Sequence, residues 1–546
     1  MRRSGVGPTT WTRVALAAVP LAFVGIFFVY PVVTIVARGL APDGSLDLDP
    51  LREVVSDPGL RHVIWFTVWQ ATVSTVLTLA VGLPGAYVLS RYEFRGRRVV
   101  RALVTVPFVL PTVVVGTAFA ALLGPGGPLA GLGLDQTVWA ILLAHVFFNY
   151  AVVVRTVGGL WAHLDPHQEE AARVLGASRW RAFTSVTLPS LRPAIATAAV
   201  VVFLFTFTSF GVILILGGPR FSTLETEIYR QTAELLNLRL AAALTIVQMI
   251  AVTVLLLVTA RIQGREQTAL RLRAASETTQ HARTPRERAV LGVNLAVMAV
   301  LVGAPIAALV DRSLDTPTGY GFGFYRALNG LHRGSTLFVS PLEAVGTSLR
   351  YAVVATVLAV GIGGCAAVVL TGRTSRAWEG LVSLPLGVSA VTVGFGFLIT
   401  LDAAPLDLRT SWLLVPIAQA LVALPFVVRV MTPVLRAIDP HLREAAATLG
   451  ASPRRVWREV DLPIVARAAL VAAGFAFAIS LGEFGATLFI ARPTTPTLPV
   501  LIFRLLGQPG ASNFGAAMAA SVVLMALTAV AILAIERFRL GGVGEF

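Results

Sequence analysis

The sequence predicts an all-α integral membrane protein of about twelve transmembrane helices, arranged as two tandem six-helix repeats. Three observations predict it. First, 56% of the 546 residues are hydrophobic and only 13% are charged, more apolar surface than a soluble chain of this size can hide. Second, runs of about 20 apolar residues recur, the length that crosses a bilayer as a helix. Backbone groups in lipid must pair within their own segment, so these runs are helices, and the short alternating segments of a lipid-facing barrel do not occur. Third, two polar stretches repeat each other. Residues 165–189 read DPHQEEAARVLGASRWRAFTSVTLP and residues 439–463 read DPHLREAAATLGASPRRVWREVDLP, identical at 14 of 25 positions without a gap.

The first six spans are expected near 14–37, 62–89, 100–123, 137–161, 193–217 and 240–260. The second six are expected near 289–310, 346–371, 378–400, 411–434, 467–491 and 515–535. The first apolar stretch follows Arg2, Arg3 and Arg13 and is too long for a signal peptide, so it reads as an uncleaved span. The domains are then a first repeat over 1–261, a polar linker over 262–288 and a second repeat over 289–546. The duplication reaches into the spans. Residues 103–119 pair with 381–397, and Phe210-Gly211, Thr223-Leu224 and Ile228-Tyr229-Arg230 match Phe484-Gly485, Thr497-Leu498 and Ile502-Phe503-Arg504. Six spans per half return each half to its starting side, which makes a parallel repeat about the membrane normal.

Charge orients the spans. The chain has no lysine, so all 44 basic residues are arginine and the formal charge is +15. The arginines gather in alternate loops: after the second span (Arg91 to Arg101), in both repeated stretches, in the linker, after the eighth span (Arg373, Arg376) and after the twelfth (Arg537, Arg539). The positive-inside rule makes those loops cytoplasmic, together with both termini. The same placement argues against nucleic acid as the reason for the positive charge. The single cysteine, Cys365, excludes an internal disulfide and a cysteine-rich metal site.

Each repeated stretch reads as two short helices. Asp165 and Asp439 are capping residues before Pro166 and Pro440. Glu170, Ala171 and Ala172, and Glu444, Ala445 and Ala446, favour helix. Gly176 and Gly450 permit the left-handed turn that ends it. Ser178 and Ser452 cap a second helix, which Leu188-Pro189 and Leu462-Pro463 close. Each half thus presents small residues and one carboxylate to a partner. The nearby His163, His167 and His441 belong to this loop structure rather than to a zinc site.

E-A-A, then glycine six residues after the glutamate, then L-P, occurs in both halves and resembles the EAA loop of the permease subunits of bacterial ABC importers. The resemblance covers essentially the whole chain and implies a type I importer fold. It implies that Glu170, Ala171, Ala172 and Gly176, with Glu444, Ala445, Ala446 and Gly450, contact an ATP-hydrolysing partner, two copies in all. A solute-binding protein outside the cytoplasm and a bacterial cell membrane location follow from the same likeness. The chain itself would bind no cofactor; ATP and magnesium would sit on the partners. The missing lysine agrees, because a Walker A loop needs one to reach the phosphates. The chain therefore reads as no enzyme. Fused two-half permeases of this length resemble those for thiamine and for ferric iron, and GGPRFSTLETEIYRQT (217–232) looks most like the thiamine type.

For the substrate path the candidates are Glu483, Ser209, Phe207, Phe210 and Phe484. Glu483 is expected inside the eleventh span, where a charge requires a polar or wet surrounding. It either attracts a cationic solute or is a structural hydrogen-bonding group, and the sequence leaves both open. Ser209 is its repeat partner. The phenylalanines, with Phe205, Phe475 and Phe477, line a path for a flat cation or simply pack. Arg230 and Arg504 either meet a binding protein or are solvated. The run Tyr320–Tyr325 either contacts a partner or folds onto the spans. The competing function classes are an ATP-independent secondary transporter, which has no use for repeated cytoplasmic helices, and a membrane enzyme, for which no catalytic constellation exists.

Overall fold

The computed structural model describes residues 10–41, 44–265, 273, 275–330, 337–371, 388–401 and 407–539. Expected features at 378–387, at 266–272, and at Arg2, Arg3, Arg373 and Arg376 lie outside them. The described chain is helical apart from two two-residue strand pairs, Tyr92–Glu93 with Gln280–His281 and Asp315–Thr316 with Gly319–Tyr320.

The first repeat runs α1 (Ala15–Leu40), α2 (Pro58–Arg91), α3 (Arg97–Val109), α4 (Thr112–Leu123), α5 (Val138–Trp161), α6 (His167–Val174), α7 (Arg179–Phe207), α8 (Gly211–Leu216), α9 (Leu224–Tyr229) and α10 (Leu238–Arg265). The second runs α11 (Pro285–Leu314), α12 (Pro341–Leu370), α13 (Ala390–Thr400), α14 (Leu414–Arg436), α15 (Pro440–Thr448), α16 (Pro453–Gly482), α17 (Gly485–Ile490), α18 (Leu498–Leu506) and α19 (Ala511–Arg539). Among the described residues, 10 helices are long and apolar enough to span, or 11 with one bent pair counted as a span. The expected third span is instead the pair α3 and α4, bent by 103°. Pro107 and Pro111 flank the break, and proline there removes the donors that would continue one helix.

The fifth and eleventh spans also differ from expectation. Each begins earlier, at the second short helix of its repeated stretch, and ends earlier, at Phe207 and Gly482. Leu188-Pro189 and Leu462-Pro463 do not close those short helices. A π-turn over Phe183–Thr187 and another over Trp457–Asp461 widen the backbone, and the helix continues through each proline. α8 and α17 are separate helices after a break.

The two halves pack alike. α5 and α14 are the most enclosed spans, with 72% of each apolar window buried, so they form the centre of each half. Gly82 of α2 meets Val153 of α5, and Gly363 of α12 meets Val427 of α14; small residues let backbones approach closely in an apolar bundle. The first helix of each repeat packs on the other repeat as well as on the last span of its own. Pro31 and Ile35 of α1 meet Gly396 of α13, and α1 also lies along α12 and α10. α11 lies along α4, α19 and α2, where Met298 joins Leu89, Val104 and Tyr150 in one core cluster.

The coupling helices and the aromatic junction

α6 and α15 are built by their own residues. Asp165 Oδ1 accepts from the His167 N–H at 3.1 Å, and Asp439 Oδ1 from the His441 N–H at 2.9 Å. The imidazole Nδ1 atoms lie 2.8 and 2.7 Å from the same oxygens. Backbone donation from His441 holds the Asp439 carboxyl below the usual range, and the Asp439 hydrogen bond holds the His441 imidazole above its ordinary value. At the other end Ala177 N–H reaches Ala172 O and Gly176 N–H reaches Arg173 O, both at 3.0 Å. Ala451 with Ala446 and Gly450 with Ala447 repeat this at 3.0 Å. This double bond pattern closes a helix only when the residue after its end is left-handed, and Gly176 (φ 91°) and Gly450 (φ 84°) are.

The eight expected contact residues lie on these two helices and their closing turns. Glu170, Ala171, Gly176, Glu444, Ala445 and Gly450 are exposed, and Ala172 and Ala446 are half-buried. Leu175 and Leu449, at matched positions, are 88% and 89% exposed. Two matched apolar tips thus stand in solvent, one in each repeat. Ser178 caps as expected, accepting from the Arg181 N–H at 3.2 Å. Ser452 does not use its side chain; its carbonyl accepts from Arg455 and Val456.

Each coupling helix is tied back to its span by a bond that sequence reasoning missed. Thr187 donates to Glu169 at 2.7 Å, and Arg443 donates to Asp461 at 2.8 Å. The positions match in the two repeats but the chemistry differs, so identity at aligned positions gives no signal. The linker also engages the first stretch. Arg273 Nε lies 3.0 Å from Asp165 Oδ2, and its N–H donates to His163 O at 2.9 Å.

At the far ends of α7 and α16 the two halves meet through aromatic rings. α7 has 29 residues, about 43 Å at helical rise, so these ends are remote from the coupling helices. Phe210 and Phe484 stack at 5.6 Å and 27°. Tyr229 sits edge-on to Phe210 at 5.7 Å and 64°, and its repeat partner Phe503 sits edge-on to Phe484 at 5.5 Å and 61°. The four rings therefore obey the pseudo-twofold, with the stack between halves. Gly211 makes this possible: a Cβ there would lie 2.6 Å from Thr112 Oγ1 and 3.2 Å from Phe484. Phe207 is buried but stacks on Phe203 within its own helix, away from the junction.

Glu483 is not inside a span. It occupies the break before α17, buried, and accepts from the N–H groups of Ala486 at 2.7 Å and Thr487 at 3.0 Å and from the Thr487 hydroxyl. A carboxylate at a helix N-terminus is stabilised by the free N–H groups there. Ser209, its partner, sits in the matching break and bonds His145 Nε2 at 2.9 Å, while His145 Nδ1 reaches Ser74 Oγ at 3.0 Å. This buried Ser-His-Ser chain exists in the first repeat alone; Gln419 takes the place of His145 in the second. Glu225 on α9 is a further buried carboxylate that the sequence did not single out. It accepts from Gln248 and, at 3.0 Å, from Ser389 Oγ of the other repeat. Arg230 pairs with Glu227 at 2.9 Å, and Arg504 is half-buried. In the run Tyr320–Tyr325, Phe324 packs onto Gly515 of α19, whereas Tyr320 and Phe322 are exposed.

Ten apolar spans among the described residues, a pseudo-twofold core, two exposed helices on one face and a ring junction at the other end define a two-half membrane permease. Residues 79–266 and 359–539 match the family described as binding-protein-dependent transport system inner membrane component, and the chain belongs to that family. The thiamine transport system permease protein ThiP of Salmonella typhimurium is 28% identical, covering 86% of this chain and 88% of that protein. Its namesake in Escherichia coli is 27% identical over 83% and 85%. A probable ABC transporter permease protein, y4fN of Sinorhizobium fredii, is 24% identical over 95% of both chains. Among solved structures, a bacterial ABC transporter that imports the acidic polysaccharide alginate aligns at a TM-score of 0.42 and 19% identity, covering 47% of this chain and 96% of that one.

Proposed function

We propose that this chain is the permease subunit of an ATP-driven importer for thiamine or its phosphates, with ferric iron the next candidate. Two ATPase subunits would cover the α6 and α15 tips in the cytoplasm, and a solute-binding protein would deliver cargo at the opposite face. The observation that carries the reading is the matched pair of glycine-ended helices, each presenting a glutamate, small residues and a bare leucine. The thiamine assignment is supported by the relatives of that name, which match along most of their length.

The chain hydrolyses nothing in this reading. ATP and magnesium bind on the partners, whose closure draws the two tips together. The Thr187–Glu169 and Arg443–Asp461 bonds pass that movement into α7 and α16. Those spans end at Phe207 and Gly482, just before Phe210 and Phe484, so their displacement separates the stacked rings and opens the path. Energy thus enters at one face and is read at the other through one two-state element.

Reconstitution in liposomes with the ATPase and the binding protein tests the proposal. ATP-dependent accumulation of thiamine, with ATPase stimulation by the loaded binding protein, is the expected result. Thiamine movement by the purified chain without nucleotide would instead make it a secondary transporter. Accumulation of ferric iron but not thiamine would overturn the cargo and leave the rest.

A further inference from the structure

Two carboxylates on α9 stand in different company. Glu227 is buried and paired, accepting from Arg230 at 2.9 Å and from Gln231 at 2.7 Å. Glu225 is fully buried, and among the described residues no basic side chain pairs with it. Its partners are neutral: Gln248 of α10 and Ser389, which precedes α13. The carbonyl oxygen of Gln248 is itself buried without a hydrogen-bond partner. Thr392 Oγ1 lies 3.2 Å from Ser389 Oγ and adds another hydroxyl to the group.

This cluster adjoins the ring junction. α9 carries both Glu225 and Tyr229, and the residue after Ser389, Ala390, would lie 2.9 Å from a Cβ on Gly485, next to Phe484. The repeat partner of Glu225 is Pro499, so the fold does not need an acid here. Burying a carboxylate without a countercharge disfavours its ionised form, and Glu225 sits this way at the seam between halves, a few residues from the aromatic faces, where an arriving cation supplies the missing countercharge.

We infer that Glu225, with Ser389 and Gln248, forms the station that takes up the charge of an organic cation as it passes the aromatic junction. The inference rests on the proposed import of a cationic solute and names the group that selects it. Ring faces stabilise such a cation, and the carboxylate supplies the countercharge and accepts from its amino groups. Ser389 belongs to the other repeat, so separation of the halves withdraws its hydroxyl and frees a carboxylate oxygen for the solute.

The test uses the whole complex in liposomes. Glu225→Gln is expected to lower thiamine uptake by at least about tenfold, the size of effect expected when a buried charge partner is removed, while ATPase stimulation by the loaded binding protein is retained. The exchange Glu225→Gln with Gln248→Glu keeps the same pair of groups and returns a carboxylate to the site, and is expected to restore uptake to within about threefold. If the single variant fails to assemble, the exchange alone gives the reading. Wild-type uptake by Glu225→Gln, or an assembled exchange variant no better than about tenfold below wild type, overturns the station. Choline serves as a second probe. A wild-type complex that imports choline but not thiamine, with choline uptake lost in Glu225→Gln, supports the station and removes the thiamine assignment. Thiamine import that is indifferent to Glu225 does the reverse.

Discussion

Gly176 and Gly450 show how a single residue type sets the coupling surface. Nothing lies within 4 Å of a Cβ built on either one, so substitution meets no clash and only the positive φ matters. Gly176→Ala and Gly450→Ala should therefore each cost about 1 kcal/mol of local stability, with asparagine tolerated better than alanine. Faster hydrogen exchange across α6 or α15 and weaker ATPase stimulation are the expected readouts. His441 gives a second test. Its raised pKa means that the stability from its protonated form is complete below the ordinary histidine value and is lost as pH rises through the raised one. Asp439 has a depressed pKa, so its contribution is present above the ordinary aspartate value and is lost as pH falls through the depressed one. The charged cap is complete between those limits. NMR titration should place His441 above the histidine reference of about 6.5, and Asp439→Asn should bring it back.

At the scale of elements, the sequence located the short helices and misjudged how they join the spans. The L-P pairs read as stops because proline cannot donate, yet the π-turns absorb that loss and make each second short helix the start of a span. In the proposed cycle the spans would serve as levers, held to the short helices by Thr187–Glu169 and Arg443–Asp461. Arg443→Ala should remove about 1 kcal/mol, given its partial exposure, and weaken coupling without unfolding α15. Glu169→Arg with Thr187→Asp installs the second repeat's pair in the first and should couple normally; failure would show that the bond does not transmit. The apolar run of the sequence continues through Glu483, so hydropathy alone puts it inside a span. The break appears only when Phe484-Gly485 is packed against α13. Glu483→Gln exchanges one acceptor oxygen for an amide and leaves a buried N–H of α17 without a partner, a cost of about 1–3 kcal/mol. A lower melting temperature of the complex is the expected outcome, with transport falling in parallel.

Across the whole molecule, the repeats are interlocked. α1 packs on the second repeat and α11 on the first, so any relative movement of the halves has to carry these shared contacts with it. In the proposed cycle the Phe210–Phe484 stack is where such movement would be read out. With Cys365 replaced, Phe210→Cys with Phe484→Cys should be bridged by a short thiol crosslinker in the nucleotide-free complex. Crosslinking should abolish uptake, and cleavage of the linker should restore it. Equal crosslinking when ATP is held on the partners would show that the junction does not open.

The sequence alone determined the membrane class, the duplication and the two matched short helices, because hydropathy, repeated spacing and capping residues act over a few turns of chain. Tertiary structure decided where the spans break, which rings meet at the pseudo-twofold, and which partners Glu225, His145, Glu169 and Arg443 bond. Those features join residues far apart in the chain, or exchange chemistry between matched positions. Burial and close approach between the halves, rather than local propensity, fix them.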